Sequence, residues 1–276
     1  NVDIQSMNLL NYDAIPEDAA GIIVLAPTSD YSEEDAQKVS DYLDNGGKAI
    51  FITSWTQEGL PEFTGIFEKY GMTLAEGIVV DPEANYYYQN PYYLLPDVSG
   101  STITSSLVSD KRMVFIPYAQ GITVEDTKED DESDDAPDIK QIFKTSDKAY
   151  SKTDVHDMQT WEKEDGDVEG PFALGVYVTQ SVGDEEMKFL WITSENFISE
   201  NVNATVAGSN FELITNMVSQ MTEHETSVSI PVKDYEAANL TVPKSVFFAG
   251  GAVVMLLIPL ITLVAGFMIW FSRKKK

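Results

Sequence analysis

The chain has 276 residues, 45 acidic against 18 basic side chains, a formal net charge of −27 with both histidines neutral, and no cysteine. Such an acidic surface repels a phosphate backbone and excludes a general nucleic-acid binder. The absence of cysteine removes disulfides, thiolate metal sites and every cysteine nucleophile, while a hydrophobic content of 43% is ordinary for a packed globular protein.

In chain order, Gly21-Ile22-Ile23-Val24-Leu25-Ala26 ahead of Pro27 is the pattern of a strand buried on both faces. Ser32-Glu33-Glu34-Asp35 is a variant of the capping box, and Ala36, Val39, Tyr42 and Leu43 carry helical spacing up to a stop at Gly46-Gly47. Lys48-Ala49-Ile50-Phe51-Ile52-Thr53 repeats the buried-strand pattern. Phe63, Ile66, Phe67 and Tyr70 form the stripe of a second helix, and Ile78-Val79-Val80 is a third apolar run. Strand, helix, strand, helix, strand with short connections predicts an α/β fold with a mostly parallel, right-handed sheet.

Tyr86-Tyr87-Tyr88-Gln89-Asn90-Pro91-Tyr92-Tyr93 reads as a loop, and Met113 to Ile116 as a strand. Nine of the fourteen residues from Glu125 to Asp138 are acidic, which predicts a solvated loop dividing the α/β domain into a first part, 1–124, and a second part, 139–232. In the second part, Ile139 to Thr145, Phe172 to Thr179 and Met187 to Thr193 are predicted strands, the last two joined by the turn Gly183-Asp184. Asn210 to Met221 is a predicted helix, Val228 to Val232 a short strand, and 233–245 a linker.

From Val246 to Phe271 the chain runs 26 residues without a charge. A helix of that length reaches about 39 Å against a hydrocarbon core of roughly 30 Å, so the reading is a C-terminal transmembrane helix in a lipid bilayer. Pro259 would kink it, and Phe247 and Trp270 suit its two interfaces. Arg273 and Lys274 open the basic tail 272–276, which the positive-inside rule places in the cytoplasm with the acidic domain outside. Asn1 opens no signal peptide, so an exported domain implies a further segment and span upstream.

Taken together, Leu9 to Pro16 (LLNYDAIP), Pro27 to Gly47, Tyr70 to Asp81 (YGMTLAEGIVVD), Gly170-Pro171, Val228 to Lys233 (VSIPVK) and the closing apolar stretch with Ile258-Pro259-Leu260 resemble a known family. It is that of the auxiliary proteins of uncharacterised ABC-type transport systems, which includes the gliding-motility GldG-like proteins. The resemblance covers essentially the whole chain. It implies a sheet domain like that of class I glutamine amidotransferases, flavodoxin-like in layout, working outside the membrane beside an ABC permease and ATPase. Thr193-Ser194-Glu195-Asn196-Phe197 departs from the pattern, since relatives tend to have Gly-Asp there.

Chemistry is sparse. A serine substitute for the missing cysteine would sit at Ser54, but no GxSxG elbow surrounds it, and the two histidines, His156 and His224, show no metal-ligand spacing. The acidic run lacks the ligand spacing and turn glycine of a calcium loop, and no phosphate-binding glycine loop is present. Asn203-Ala204-Thr205 and Asn239-Leu240-Thr241 match the glycosylation sequon by chance. No catalytic residue, cofactor or metal is expected. Tyr86, Tyr87, Tyr88, Tyr92 and Tyr93 are the candidate binding residues, either as a partner anchor or as packing over the sheet edge. The resulting expectation is a non-enzymatic auxiliary subunit of an ABC transport system, with a surface glycan or cell-wall recognition module as the alternative.

Overall fold

The computed structural model describes residues 2–125, 136–155, 160–222 and 258–274, divided between two units, Asn1–Ser227 and Val228–Lys276. His156, His224, Phe247, the predicted strand at 228–232, the linker and most of the acidic loop lie outside the described residues.

In the first unit, strand β1 (Ile22–Leu25) leads into helix α1 (Glu33–Asp44) and strand β2 (Lys48–Ile52). The Ser32 hydroxyl caps α1 by accepting from the Asp35 backbone N–H at 3.1 Å, and three carboxylates in the first turn suit the positive end of the helix dipole. The helix stops where Gly46 turns to φ +84°, a conformation open to glycine. Helix α2 (Pro61–Glu68) starts on a proline, whose missing N–H costs nothing there. Its free Glu62 and Phe63 N–H groups are satisfied by the carboxylate of the distant Asp30, each at 3.0 Å.

The chain then forms β3 (Met72–Leu74), β4 (Ile78–Val80), β5 (Tyr93–Leu94), β6 (Asp97–Val98), helix α3 (Ser105–Ser109), β7 (Ile116–Pro117) and β8 (Ile122–Val124). After these come β9 (Asp138–Lys144), β10 (Tyr150–Lys152), β11 (Val168–Glu169), β12 (Ala173–Val182) and β13 (Glu185–Ile192). Helices α4 (Glu200–Thr205) and α5 (Ser209–Met221) close the unit.

The fold is α/β, but the principal sheet is mixed, which corrects the mostly parallel, amidotransferase-like or flavodoxin-like expectation. Its order is β1-β2-β13-β12-β8-β3, with β9 also paired to β12 and β6 to β9. Among the described strands only β1/β2 and β2/β13 are parallel; β13/β12, β12/β8, β12/β9, β8/β3 and β9/β6 are antiparallel. The cause is visible at Gly183, whose φ of +61° makes a tight turn that folds β12 back on β13 over eight residue pairs. The third apolar run, β4, does not enter this sheet at all. It pairs antiparallel with β10 in a separate sheet of order β11-β10-β4.

Two apolar layers sandwich the principal sheet. Ala49 and Phe51 of β2 and Phe189 and Trp191 of β13 face α1 and α2, where Phe67 stacks on Trp191 with ring centres 3.9 Å apart and planes at 11°. Ile50, Ile52, Leu190 and Ile192 face Leu213 and Met217 of α5 and Phe197. β1, predicted to be buried on both faces, is an edge strand: Ile23 and Leu25 are 44% and 54% exposed on the α5 side.

The second unit, described by itself, holds helix α6 (Ile258–Lys274). Its 17 residues reach about 26 Å, with Arg273 and Lys274 in the last turn and the Lys274 ammonium 4.8 Å from the centre of the Trp270 ring. Among the described residues no helix is long and apolar enough to cross a membrane. This corrects the predicted span at 246–271 and the outside-in topology built on it; of the predicted anchor residues, Pro259, Trp270, Arg273 and Lys274 stand on α6, and Phe247 lies outside the described residues.

Candidate functional site

Chain direction singles out one end of the principal sheet. From the carboxyl end of β2 the chain leaves to α2 on one face, and from the carboxyl end of the neighbouring β13 it leaves to Phe197 and α5 on the other. Such a divergence opens a crevice, and in α/β sheets ligands bind there. The residues arriving at it are Thr53, Ser54 and Trp55 after β2, and Thr193, Ser194 and Glu195 after β13.

This crevice is closed by the protein itself. The segment 117–120 lies across the end of β13: Gln120 N–H donates to Thr193 O at 3.2 Å, the Thr193 hydroxyl returns to Gln120 O at 2.7 Å, and the Ser194 hydroxyl donates to Pro117 O. On the β2 side the Thr53 hydroxyl accepts from the Trp191 indole N–H at 3.0 Å. Thr53, Thr193 and Ser194 are buried, and their hydroxyls are committed to these bonds. Ser54, the one serine that sequence reasoning offers as a nucleophile, is half-buried, and both histidines that might serve it lie outside the described residues. Among the described residues no group of histidine, cysteine or carboxylate side chains is arranged to hold a metal ion.

The segment that closes the crevice also builds the surface beside it. Tyr88 N–H donates to Tyr93 O at 2.8 Å, Leu95 N–H to Tyr86 O at 2.7 Å, and Tyr87 bridges Leu94, so the predicted tyrosine loop is a small hairpin. Its second strand, β5, pairs with β7 through Tyr93 opposite Pro117 and Leu94 opposite Ile116. Alternation then sorts the side chains. Leu94 and Ile116 enter the core, while Tyr86, Tyr88, Tyr93 and Leu95 share the opposite face with Phe115. Tyr88 and Tyr93 both meet Phe115 edge-on, at 77° and 81° with centres 5.9 Å apart, and cover it while staying half-exposed themselves.

Of the five predicted tyrosines, three therefore gather on one face and two do not. Tyr87 alternates to the other side. Tyr92 is buried with Ile78, Val80 and Tyr150, where Trp55 packs against it, and its hydroxyl donates to Thr160 O at 3.0 Å. The backbone from Thr160 to Glu162 is held down there by Tyr92, by the Tyr150 hydroxyl on Trp161 O, and by the Lys152 ammonium, which donates to Glu162 O at 3.3 Å. Lys152 is 1% exposed and reaches Glu164 at 2.6 Å.

Tyr118 is the residue that sequence reasoning missed. It takes φ +54°, a left-handed conformation unusual for an aromatic residue, and its N–H donates to Tyr92 O at 3.0 Å. Its ring meets Tyr93 edge-on at 5.4 Å and lies near parallel to Tyr92 at 6.2 Å. No glycine or asparagine at 118 signals that geometry. It follows from the bonds at Pro117 and Gln120 on either side.

The electrostatics of the patch are acidic and neutral rather than cationic. Tyr86 donates to the Asp97 carboxylate at 2.6 Å, and that bond, ahead of burial and the charges of Asp97, Asp81 and Asp147, pushes its phenol up to about 12. Tyr118 is pushed up to about 12, first by its hydrogen bond with Tyr93. The nearby lysines are Lys148, paired with Glu83, and Lys144, opposite Asp97 in the β6/β9 register.

No family model and no curated protein matches the chain. Among solved structures it is similar to the "mmIFT52 N-terminal domain", with 14% identity, a TM-score of 0.49, and 73% of this chain against 76% of that one covered. At that similarity the likeness carries no argument about activity or partners. Nothing in these comparisons supports the ABC-transport or gliding-motility resemblance of the sequence.

Proposed function

We propose that the chain is a non-enzymatic auxiliary subunit whose α/β domain binds other proteins through the tyrosine face. The observation that supports this reading is the pairing of a self-closed crevice with an adjacent face of Tyr86, Tyr88 and Tyr93, the last two laid over Phe115. Tyrosines on a rigid platform give large contact area at little entropic cost. The sequence resemblance supplies the first partners to look for, an ABC permease and ATPase.

The test is affinity purification of the full-length tagged protein from its native source, in mild detergent and after crosslinking, with mass spectrometry of what accompanies it. Stoichiometric recovery of other subunits supports the reading, and recovery of an ABC permease and ATPase would specify it. Recovery of the protein alone under all conditions would overturn it and favour the glycan-recognition alternative.

A further inference from the structure

The tyrosine face is flanked by negative charge, and this restricts what it can hold. Asp97 is bonded to Tyr86, and Asp147 lies close enough to Tyr86 to raise its phenol further. Of the two lysines on this side, Lys148 is already paired with Glu83 and Lys144 stands opposite Asp97 in the β6/β9 register, so the negative excess beside the rings rests on Asp81 and Asp147 together with Asp97. The whole chain carries 27 more negative than positive charges. An anionic ligand would meet repulsion both at long range and on contact, whereas a cationic one would be steered in.

The rings themselves favour the same sign. The face of a phenol ring is electron-rich, and Tyr88 and Tyr93 are both half-exposed. Such faces attract a cation, and a planar guanidinium stacks on them better than an ammonium does. Two polar handles are within reach at opposite ends: the Asp97 carboxylate, which can accept further hydrogen bonds beside Tyr86, and the Tyr93–Tyr118 hydroxyl pair at 3.4 Å.

We infer that the tyrosine face is a docking surface for an arginine-bearing, cationic segment of a partner protein. The arginines stack on Tyr88 and Tyr93, and one of them bonds the Asp97 carboxylate. This rests on the reading of the domain as a partner-binding subunit and names the chemistry of the partner.

The experiment uses the full chain and a fluorescently labelled peptide of alternating glycine and arginine, with a glycine–lysine peptide of equal charge for comparison, followed by anisotropy. The arginine peptide is expected to bind several-fold more tightly than the lysine peptide. Tyr88→Leu with Tyr93→Leu, which keeps Phe115 covered but removes the rings, is expected to lose about ten-fold in affinity. Asp97→Asn should weaken binding, and Asp184→Asn, which removes an exposed charge in the β12/β13 turn at the other end of β13, should not.

Equal binding of both peptides, or equal loss in Asp184→Asn, would assign the attraction to diffuse charge and overturn the inference. So would an absence of binding at low salt. The same Leu variant in the affinity purification separates the two readings. Loss of co-purifying subunits without any arginine-peptide binding would overturn the cationic partner and leave the docking face standing. Retention of those subunits by the variant would remove the docking face as well.

Discussion

Asn210 serves Phe115 as a strand partner would: its side-chain oxygen accepts from Phe115 N–H at 3.1 Å and its amide donates to Phe115 O at 2.8 Å. The same amide donates to Phe197 O at 3.0 Å, so one fully buried side chain on α5 fixes the approach to β7 against the turn after β13. The tyrosine face, which lies over Phe115, is therefore anchored from the opposite side of the core.

Replacing that side chain removes partners from three buried backbone groups at once. Asn210→Ala is expected to cost about 3 kcal/mol, because each buried unsatisfied group costs roughly 1–3 kcal/mol and part of the penalty relaxes. Asn210→Asp keeps the acceptor for Phe115 N–H and loses the donor, and it should be destabilising too. Urea unfolding of both variants checks this, with a lower midpoint at unchanged slope as the expected result.

Trp191 is the largest fully buried side chain, stacked on Phe67 and bonded to Thr53. Trp191→Ala should cost about 3–5 kcal/mol, the range for a large aromatic replaced by alanine in a core. Trp191→Phe should cost less, since it keeps the stack and loses the indole bond. Thermal unfolding of the two variants should rank them in that order.

The strain at Tyr118 can be separated from its ring contacts. A left-handed residue other than glycine costs roughly 1–2 kcal/mol, so Tyr118→Gly should be more stable than Tyr118→Ala by about 1 kcal/mol, although both lose the contacts with Tyr92 and Tyr93. Equal stability of the two variants would mean that the backbone at 118 is not held in that conformation in solution.

Alkaline pH should unfold the protein before any exposed tyrosine chemistry explains it. Tyr86, Tyr118 and Tyr150 are pushed up to about 12, Tyr150 chiefly by burial, and Tyr70 is raised beyond that by burial as well. In the unfolded chain these phenols ionise near their ordinary value of about 10. Their contribution to stability is thus complete below pH ~10 and is lost as pH rises through about 12. The urea midpoint should be flat between about pH 8 and 9 and fall steeply above about 10, in step with the absorbance of phenolate.

Much of the local structure is legible in the sequence, and the assembly is not. The Ser32 cap, the Ala36, Val39 and Leu43 stripe and the stop at Gly46 specify α1 by short-range rules alone. Uniformly apolar β2 is recognisably buried, yet nothing in Lys48–Ile52 states that its neighbour is Lys188–Ile192, about 140 positions away. β4 shows the limit most clearly. Ile78-Val79-Val80 has the composition of a central parallel strand, but Gly77 at φ +90° brings the backbone against Lys152, and the strand pairs with β10 instead. The tyrosine run was legible as a group of residues but not as a face, because sorting Tyr88 and Tyr93 from Tyr87 and Tyr92 requires the hairpin register.

The closure over β13 also limits what protein engineering can do with this scaffold. A cysteine installed at 53 would find the Trp191 indole beside it instead of a base, and one at 194 would face the carbonyl of Pro117. Neither sulfur would see solvent or a second reactant. Restoring an open cleft requires excising Pro117 to Gln120, and that segment also carries Tyr118 and the edge on which Tyr93 is paired. Reactivity and recognition are therefore mutually exclusive at this end of the sheet: the loop that would have to go is the one that shapes the neighbouring surface.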